Sequence, residues 1–211
     1  MKEGDFIRID YVGRIKDTGE IFDLTIEEVA KKEGIYDEKR EYKPVPIIVG
    51  ENFVINGLDR ALINMNVGEK KTIELKPEEA FGERRAELIK VFPLSFFEKQ
   101  NVKPEPGMIV NISGIYGRIQ SCESGRVRVD FNNPLAGKDI IYEVEIKEVV
   151  EDDKNRIEMI LEYFGIKGNV NIKENSVEIE CKDVSKNIKK RIAELIKKYI
   201  KKEVVKFIEV F

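Results

Sequence analysis

From Asp5 the chain sets Phe6, Ile7, Ile9 and Tyr11 against Asp5, Arg8 and Asp10, the near-alternation of a half-buried strand. KDTGE (16–20) is a turn, and EIFDLT (20–25) resumes an extended pattern. The charged segment 26–43 opens with IEEVAKKEG, which predicts a short helix stopped at Gly34, and reads as a surface insertion between strands. PVPIIVG (44–50) predicts a strand ending at Gly50. In VINGLDRALINM (54–65), Leu58, Leu62 and Met65 recur at helical spacing with Ile55 and Ala61 on the same side, which predicts a short amphipathic helix. Residues 67–82 give a turn, a strand carrying Lys71, Ile73 and Leu75, and a proline-started turn into Phe81-Gly82.

Near residue 84 the character changes. VFPLSFFEKQN (91–101) predicts an aromatic-rich helix starting at Pro93, and 108–133 predicts three short strands punctuated by Gly114, Gly117 and Gly125. DIIYEVEIKEV (139–149) is one long alternating strand with Tyr142, Val144 and Ile146 on one face. The remainder predicts a helix over 155–165 closed by a glycine, a hairpin over 170–181 turning at Glu174-Asn175, and an amphipathic helix over 185–202. That helix carries its stripe on Ile188, Ile192, Leu195, Ile196 and Tyr199 and is N-capped by Ser185. A strand over 203–211 completes an αββαβ order.

Composition narrows the chemistry. Histidine is absent, which removes imidazole general acid–base catalysis, Ser-His-Asp triads and His-ligated metals together. Two cysteines, Cys122 and Cys181, are too few and too far apart for a zinc cluster or a disulfide framework, so no metal is expected and a reducing cytoplasm is. The start of the chain lacks the apolar run of a signal peptide, and no segment approaches the roughly 20 apolar residues of a membrane span. A net charge of −3 argues against a nucleic-acid partner for the whole chain. The helix 185–202 carries eight Lys and Arg against one acid, Glu194, and reads as a solvated face.

Several short strings, in order, resemble the FKBP peptidyl-prolyl isomerases: Tyr11-Val12-Gly13, the turn at Gly19, Phe22-Asp23, Val54-Ile55 followed by Gly57-Leu58, Val67-Gly68-Glu69, Ala80-Phe81-Gly82, and the late strand with Tyr142. The stretch between the last two resembles the insert-in-flap domain of SlyD-like members, returning to the body at Leu135-Ala136-Gly137. The whole resembles the archaeal long-type members. The resemblance implies an α+β fold: an antiparallel FKBP sheet wrapped on a short helix over 1–86 and 134–151, a small β-rich insert over 87–133, and a C-terminal αββαβ domain over 152–211. SlyD relatives often carry a His- and Cys-rich tail; this sequence has none, so a nickel role is not carried over.

The resemblance further implies an X-Pro isomerase that also handles unfolded or nascent chains as a folding chaperone, without a cofactor. It assigns catalytic positions to Tyr11, Phe22, Asp23, Ile55, Phe81 and Tyr142, with Ile55 donating its backbone N–H to the substrate carbonyl. Val54, Leu58 and Leu135 would contact substrate, and Ile89, Phe92, Phe96 and Phe97 of the insert would capture chains. Leu58 stands where many members have Trp, Val45 where Phe is common, and Phe81 where Tyr is common, which weakens the case for macrolide binding more than for catalysis. A non-catalytic holdase or scaffold for proline-containing segments is the alternative reading. The terminal strand offers an edge through which the C-terminal domain could form a homodimer.

Overall fold

The computed structural model describes residues 1–209, and the chain divides into two compact units, 1–75 with 139–211, and 76–138. The first unit is built on β1 (Phe6–Ile15), β2 (Ile21–Leu24), α1 (Glu27–Lys32), β3 (Val45–Ile48), α2 (Asn56–Leu62) and β4 (Lys70–Leu75). The second holds β5 (Ile89–Pro93), α3 (Leu94–Glu98), β6 (Ile109–Ile112), β7 (Ile115–Glu123) and β8 (Arg126–Asp130). The chain then returns to the first unit with β9 (Ile140–Val149), α4 (Asp153–Tyr163), β10 (Gly168–Ile172), β11 (Ser176–Cys181), α5 (Lys186–Ile200) and β12 (Val204–Glu209). This is the mixed α+β architecture with mainly antiparallel sheets that the resemblance implies.

In the main sheet β1 pairs antiparallel with β9 along its length, and β4 flanks β9. The opposite edge of β1 is shared: β3 takes Phe6–Ile9 and β2 takes Val12–Arg14. A register shift between Arg8 and Ile9 interrupts the β1–β9 ladder. The buried face of β9 presents Ile140, Tyr142, Val144 and Ile146, as the alternation predicts. Helix α2 packs against β4 and is shorter than expected. Ile55 is its N-cap, in extended conformation, so Val54 and Ile55 lie outside the helix. The helix stops at Leu62 and Asn64 follows with a left-handed φ of 68°.

The C-terminal segment has the expected αββαβ order. β10 and β11 form the hairpin, and β12 returns parallel to β11 after the α5 crossover. β12 is therefore an edge strand; the last two residues of the predicted strand, Val210 and Phe211, lie outside the described residues. Gly165 ends α4 with φ 68°, its N–H donating to the Glu162 carbonyl at 2.9 Å. Ser185 occupies the N-cap of α5 without a side-chain bond, so the expected cap is only positional. Asp152 does cap α4, accepting from the Asn155 N–H at 2.9 Å.

This segment joins the sheet through two carboxylates. Glu162 on α4 accepts from Arg8 at 2.6 Å and pairs with Lys43 at 2.9 Å. Glu51, in the loop after β3, is paired with Arg191 at 2.6 Å and Lys198 at 2.5 Å and accepts from the Tyr199 hydroxyl at 2.6 Å. Two cations of the helix expected to be a solvated face are thus committed to one carboxylate. Burial pushes both carboxyls up, but hydrogen bonds from Lys198, Tyr199 and Arg191 on Glu51, and from Arg8 and Lys43 on Glu162, outweigh it and hold both below the usual carboxylate range. Folded-state values below the unfolded ones give stability that is present above about pH 4.3 and is lost as pH falls through the lowered values. Thermal melts should therefore fall off below about pH 4.3 more steeply in the wild type than in a Glu51→Gln, Glu162→Gln variant; parallel curves would remove these pairs from the acid response.

The sheet of the second unit runs β5-β8-β7-β6 around Phe97, Val110, Ile119, Val127 and Val129. Two expectations are corrected here. Pro93 is the last residue of β5 and the N-cap of α3 rather than its first residue, and α3 begins at Leu94. Pro93 has no N–H to give a ladder, and β5 is an edge strand, where proline is tolerated. Gly117 lies within β7 rather than between strands: a Cβ there would sit 2.6 Å from Val129 Cγ1 and 2.8 Å from Phe131 Cδ1, so only glycine lets these chains approach.

Candidate active site

Four of the predicted site residues meet in the first unit. β1 supplies Tyr11, β2 supplies Phe22 and Asp23, and β9 supplies Tyr142. Gly13 pairs with both Asp23 and Tyr142 in register, which brings the three strands' side chains to one place. The Tyr142 ring meets Tyr11 edge-on at 5.5 Å and Phe22 at 5.7 Å with an interplanar angle of 90°. Gly13 opens the room for this: a Cβ would lie 2.6 Å from Phe22 Cζ and 3.0 Å from Tyr142 Cε1. Thr25 fixes the backbone beneath, its hydroxyl accepting from the Tyr11 N–H at 2.9 Å and donating to Asp10 at 2.7 Å.

The polar edge is a short chain of bonds. The Tyr11 hydroxyl donates to Asp23 Oδ2 at 2.6 Å, and Arg40 donates to Asp23 Oδ1, also at 2.6 Å. Arg40 also donates to the Leu24 carbonyl. Its segment is held by stacking of Tyr36 on Tyr42 and by the Asp37 N–H donating to the Tyr42 hydroxyl at 3.0 Å. Sequence reading missed Arg40, because its segment has no periodic pattern that would place one cation on Asp23. The Arg40–Asp23 pair is more than a third exposed on both sides, so it orients the carboxylate more than it stabilises the fold.

Burial pushes the Tyr11 phenol far up, and its bond to the Asp23 charge pushes it further. Burial, then the same charge, does so for Tyr142. Both phenols are protonated at neutral pH. Tyr11 spends its proton on Asp23, whereas no group among the described residues takes the Tyr142 hydroxyl. No buried side-chain polar atom is left unpaired among those residues, so that hydroxyl opens onto solvent. The cluster is thus an apolar aromatic wall with one free donor and one shielded carboxylate.

Val54, Ile55 and Leu58 lie at the start of α2 in the same unit, Leu58 buried and the other two half-buried. Asp59 donates its N–H to the Ile55 carbonyl at 3.0 Å, while the Ile55 N–H has no acceptor among the described residues. Phe81 and Leu135 fall in the second unit, both half-buried: Phe81 after the 3₁₀ turn Pro77–Glu79, and Leu135 in the return loop. Among the described residues no group of three or more Cys, Asp or Glu side chains is placed to hold a metal.

Of the four expected capture residues of the second unit, one is buried and three are half-buried. Phe97 is buried, and Phe92 and Phe96 pack on the same core, with ring centroids 5.3–6.2 Å apart among the three. Ile89 is half-buried on β5. The exposed apolar side chains are others: Val91, Met108, Ile109, Ile115 and Tyr116, the last 70% exposed. The signal for them was present in MIVNISGIY, which carries apolar residues at outward as well as inward positions, more than a half-buried hairpin needs.

Comparison with known proteins gives the family. A family model described as FKBP26, IF domain matches residues 90–135. Over 149 residues the chain is 38% identical to a short-type peptidyl-prolyl cis-trans isomerase of Methanocaldococcus jannaschii, covering 71% of this chain and 94% of that one. It is 30% identical over 118 residues to a probable FKBP-type 16 kDa peptidyl-prolyl cis-trans isomerase of Pseudomonas fluorescens, covering 54% of this chain and 77% of the relative. A third relative, the FKBP-type isomerase SlyD of Helicobacter pylori, is 30% identical over 127 residues, 56% of this chain and 68% of its own. The chain belongs to the FKBP-type peptidyl-prolyl cis-trans isomerases. Within that family its matches join SlyD-type relatives with the insert described for FKBP26.

Proposed function

We propose that the aromatic cluster of Tyr11, Phe22, Asp23 and Tyr142 is where this isomerase rotates X-Pro bonds, and that the 87–133 insert holds the unfolded chains that carry them. The cluster's combination of an apolar wall, a single free phenol and a neutralised carboxylate carries the first half. The barrier to be lowered, about 20 kcal/mol, comes from C–N resonance. Resonance places negative charge on the carbonyl oxygen, where water stabilises it. A dry wall withdraws that water, and the twisted transition state, less dipolar, loses less by the transfer.

In this reading Phe22 and Tyr142 receive the prolyl ring; Val54 and Leu58 add apolar contact; and the Ile55 N–H, which no described residue occupies, donates to the substrate carbonyl. Asp23, anchored by Tyr11 and Arg40, shapes the rim. No step moves a proton to or from a nucleophile, so a chain without histidine loses nothing by it. Asp23→Ala and Tyr142→Ala should each lower the isomerisation rate of a proline tetrapeptide at least tenfold. Tyr142→Phe, which keeps the ring and removes only the hydroxyl, should lose less. Wild-type rates in both alanine variants would move the active site elsewhere.

The holding half rests on the exposed apolar side chains of β6 and β7, an uncovered strip of the kind that marks a binding surface. A chain held there is kept at high local concentration for successive prolines. The reducing cytoplasm suits the two free thiols, Cys122 and Cys181. Self-association through the β12 edge, where Val204 and Ile208 are exposed, belongs to the same proposal; light scattering on the full chain reads it directly.

A further inference from the structure

We infer that the C-terminal αββαβ segment acts on catalysis by holding the loop that presents the Ile55 N–H, with Glu51 as its positioning residue. This rests on the reading of Ile55 as the carbonyl donor. The loop from Val49 to Ile55 is irregular: Gly50 and Asn52 have positive φ, 85° and 57°. From the α2 side, the buried Asp59 carboxylate accepts from the Gly50 N–H at 2.9 Å and the Asn52 N–H at 3.0 Å. The opposite hold comes from helices 100 or more residues later. The Glu51 side chain is only 8% exposed and is gripped by Arg191, Lys198 and Tyr199 of α5. Two residues on, the Phe53 ring lies 3.9 Å from that of Tyr163 on α4.

Residues 51, 52 and 53 are therefore fixed by three different helices, and Val54 and Ile55 follow directly. Nothing about attaching a C-terminal segment requires its strongest ionic contact to fall on this loop. The second attachment, Glu162 with Arg8 and Lys43, reaches β1 and the residues before β3 instead. A donor displaced by about 1 Å can cost up to a hundredfold in rate. Loosening Glu51 should therefore change turnover, and loosening Glu162 should not.

The test compares the full chain with Glu51→Ala, Glu51→Gln, Tyr163→Ala and Glu162→Gln on a proline tetrapeptide, with amide hydrogen exchange at Ile55 read in parallel. Glu51→Ala is expected to lower kcat about tenfold with KM within twofold, and to speed Ile55 exchange. Glu51→Gln, which still accepts hydrogen bonds, should recover most of the loss. Tyr163→Ala alters a side chain 41% exposed, so it tests the same hold if Glu51→Ala does not fold. Glu162→Gln should leave kcat unchanged. Wild-type kcat in Glu51→Ala and Tyr163→Ala, or an equal loss in Glu162→Gln, overturns the inference. Either result with Asp23→Ala still inactive leaves the pocket assignment standing; activity in Asp23→Ala and Tyr142→Ala is the failure of that assignment instead.

Discussion

Deleting residues 87–133 is expected to cut catalysis on a refolding protein about a hundredfold, the scale of a lost local-concentration effect, while the rate on a tetrapeptide stays within about threefold of wild type. The small substrate needs only the pocket, whereas the refolding chain must be found, held and searched for prolines. Tyr11, Phe22, Asp23 and Tyr142 lie outside the deleted stretch, so the proposed cluster keeps all its members. Because the cut also removes the Asp130 partner of Arg84, a milder variant is the better control. Ile115→Ser with Tyr116→Ser changes two side chains that are 60% and 70% exposed and outside the insert's core, and should reproduce much of the refolding defect. Equal losses on both substrates would take the insert out of substrate capture.

Gly13→Ala is expected to disable the pocket from beneath. Gly13 is buried in β1 and its φ is not positive, so alanine suits the backbone and the whole effect is steric. The added methyl would meet Phe22 at 2.6 Å and Tyr142 at 3.0 Å. Overpacking of this kind costs roughly 1–3 kcal/mol of stability. A midpoint lowered by about 2–4 °C per kcal/mol still leaves a folded protein at room temperature. Because the displaced rings are the proposed walls for proline, kcat/KM should fall at least tenfold in that folded protein. A variant with lowered Tm and wild-type kcat/KM would show that the edge-to-face rings serve packing alone.

The sequence pattern exposed the regular parts because their periodicity follows from one-sided burial. β9 alternates since only one of its faces meets the core, and α5 shows its stripe at Ile192, Leu195 and Ile196 for the same reason. Pro93 sits one position earlier than expected, as N-cap of α3, because it also closes the edge strand β5. Gly117 looked like a turn because the demand for glycine came from Val129 and Phe131, on other parts of the chain. Tyr11, Phe22, Asp23 and Tyr142 were legible through motif order, and the structure brings them into contact. Arg40 and Glu51 were not, since each owes its place to partners 17 or more than 100 residues away that no local pattern records. The exposed apolar hairpin has no aromatic cluster to mark it, unlike Phe92, Phe96 and Phe97, of which only Phe97 is buried.

The antiparallel pairing of β1 with β9 also dictates an order of events during synthesis. β1 leaves the ribosome before its full-length partner, which begins only at Ile140, after the whole of 76–138 has been made. The insert, by contrast, draws its core from residues close together in the chain and can condense first. Each newborn molecule would then carry a finished holding surface before it has a working isomerase. The Glu51 latch would close later than either, when α5 has left the exit tunnel.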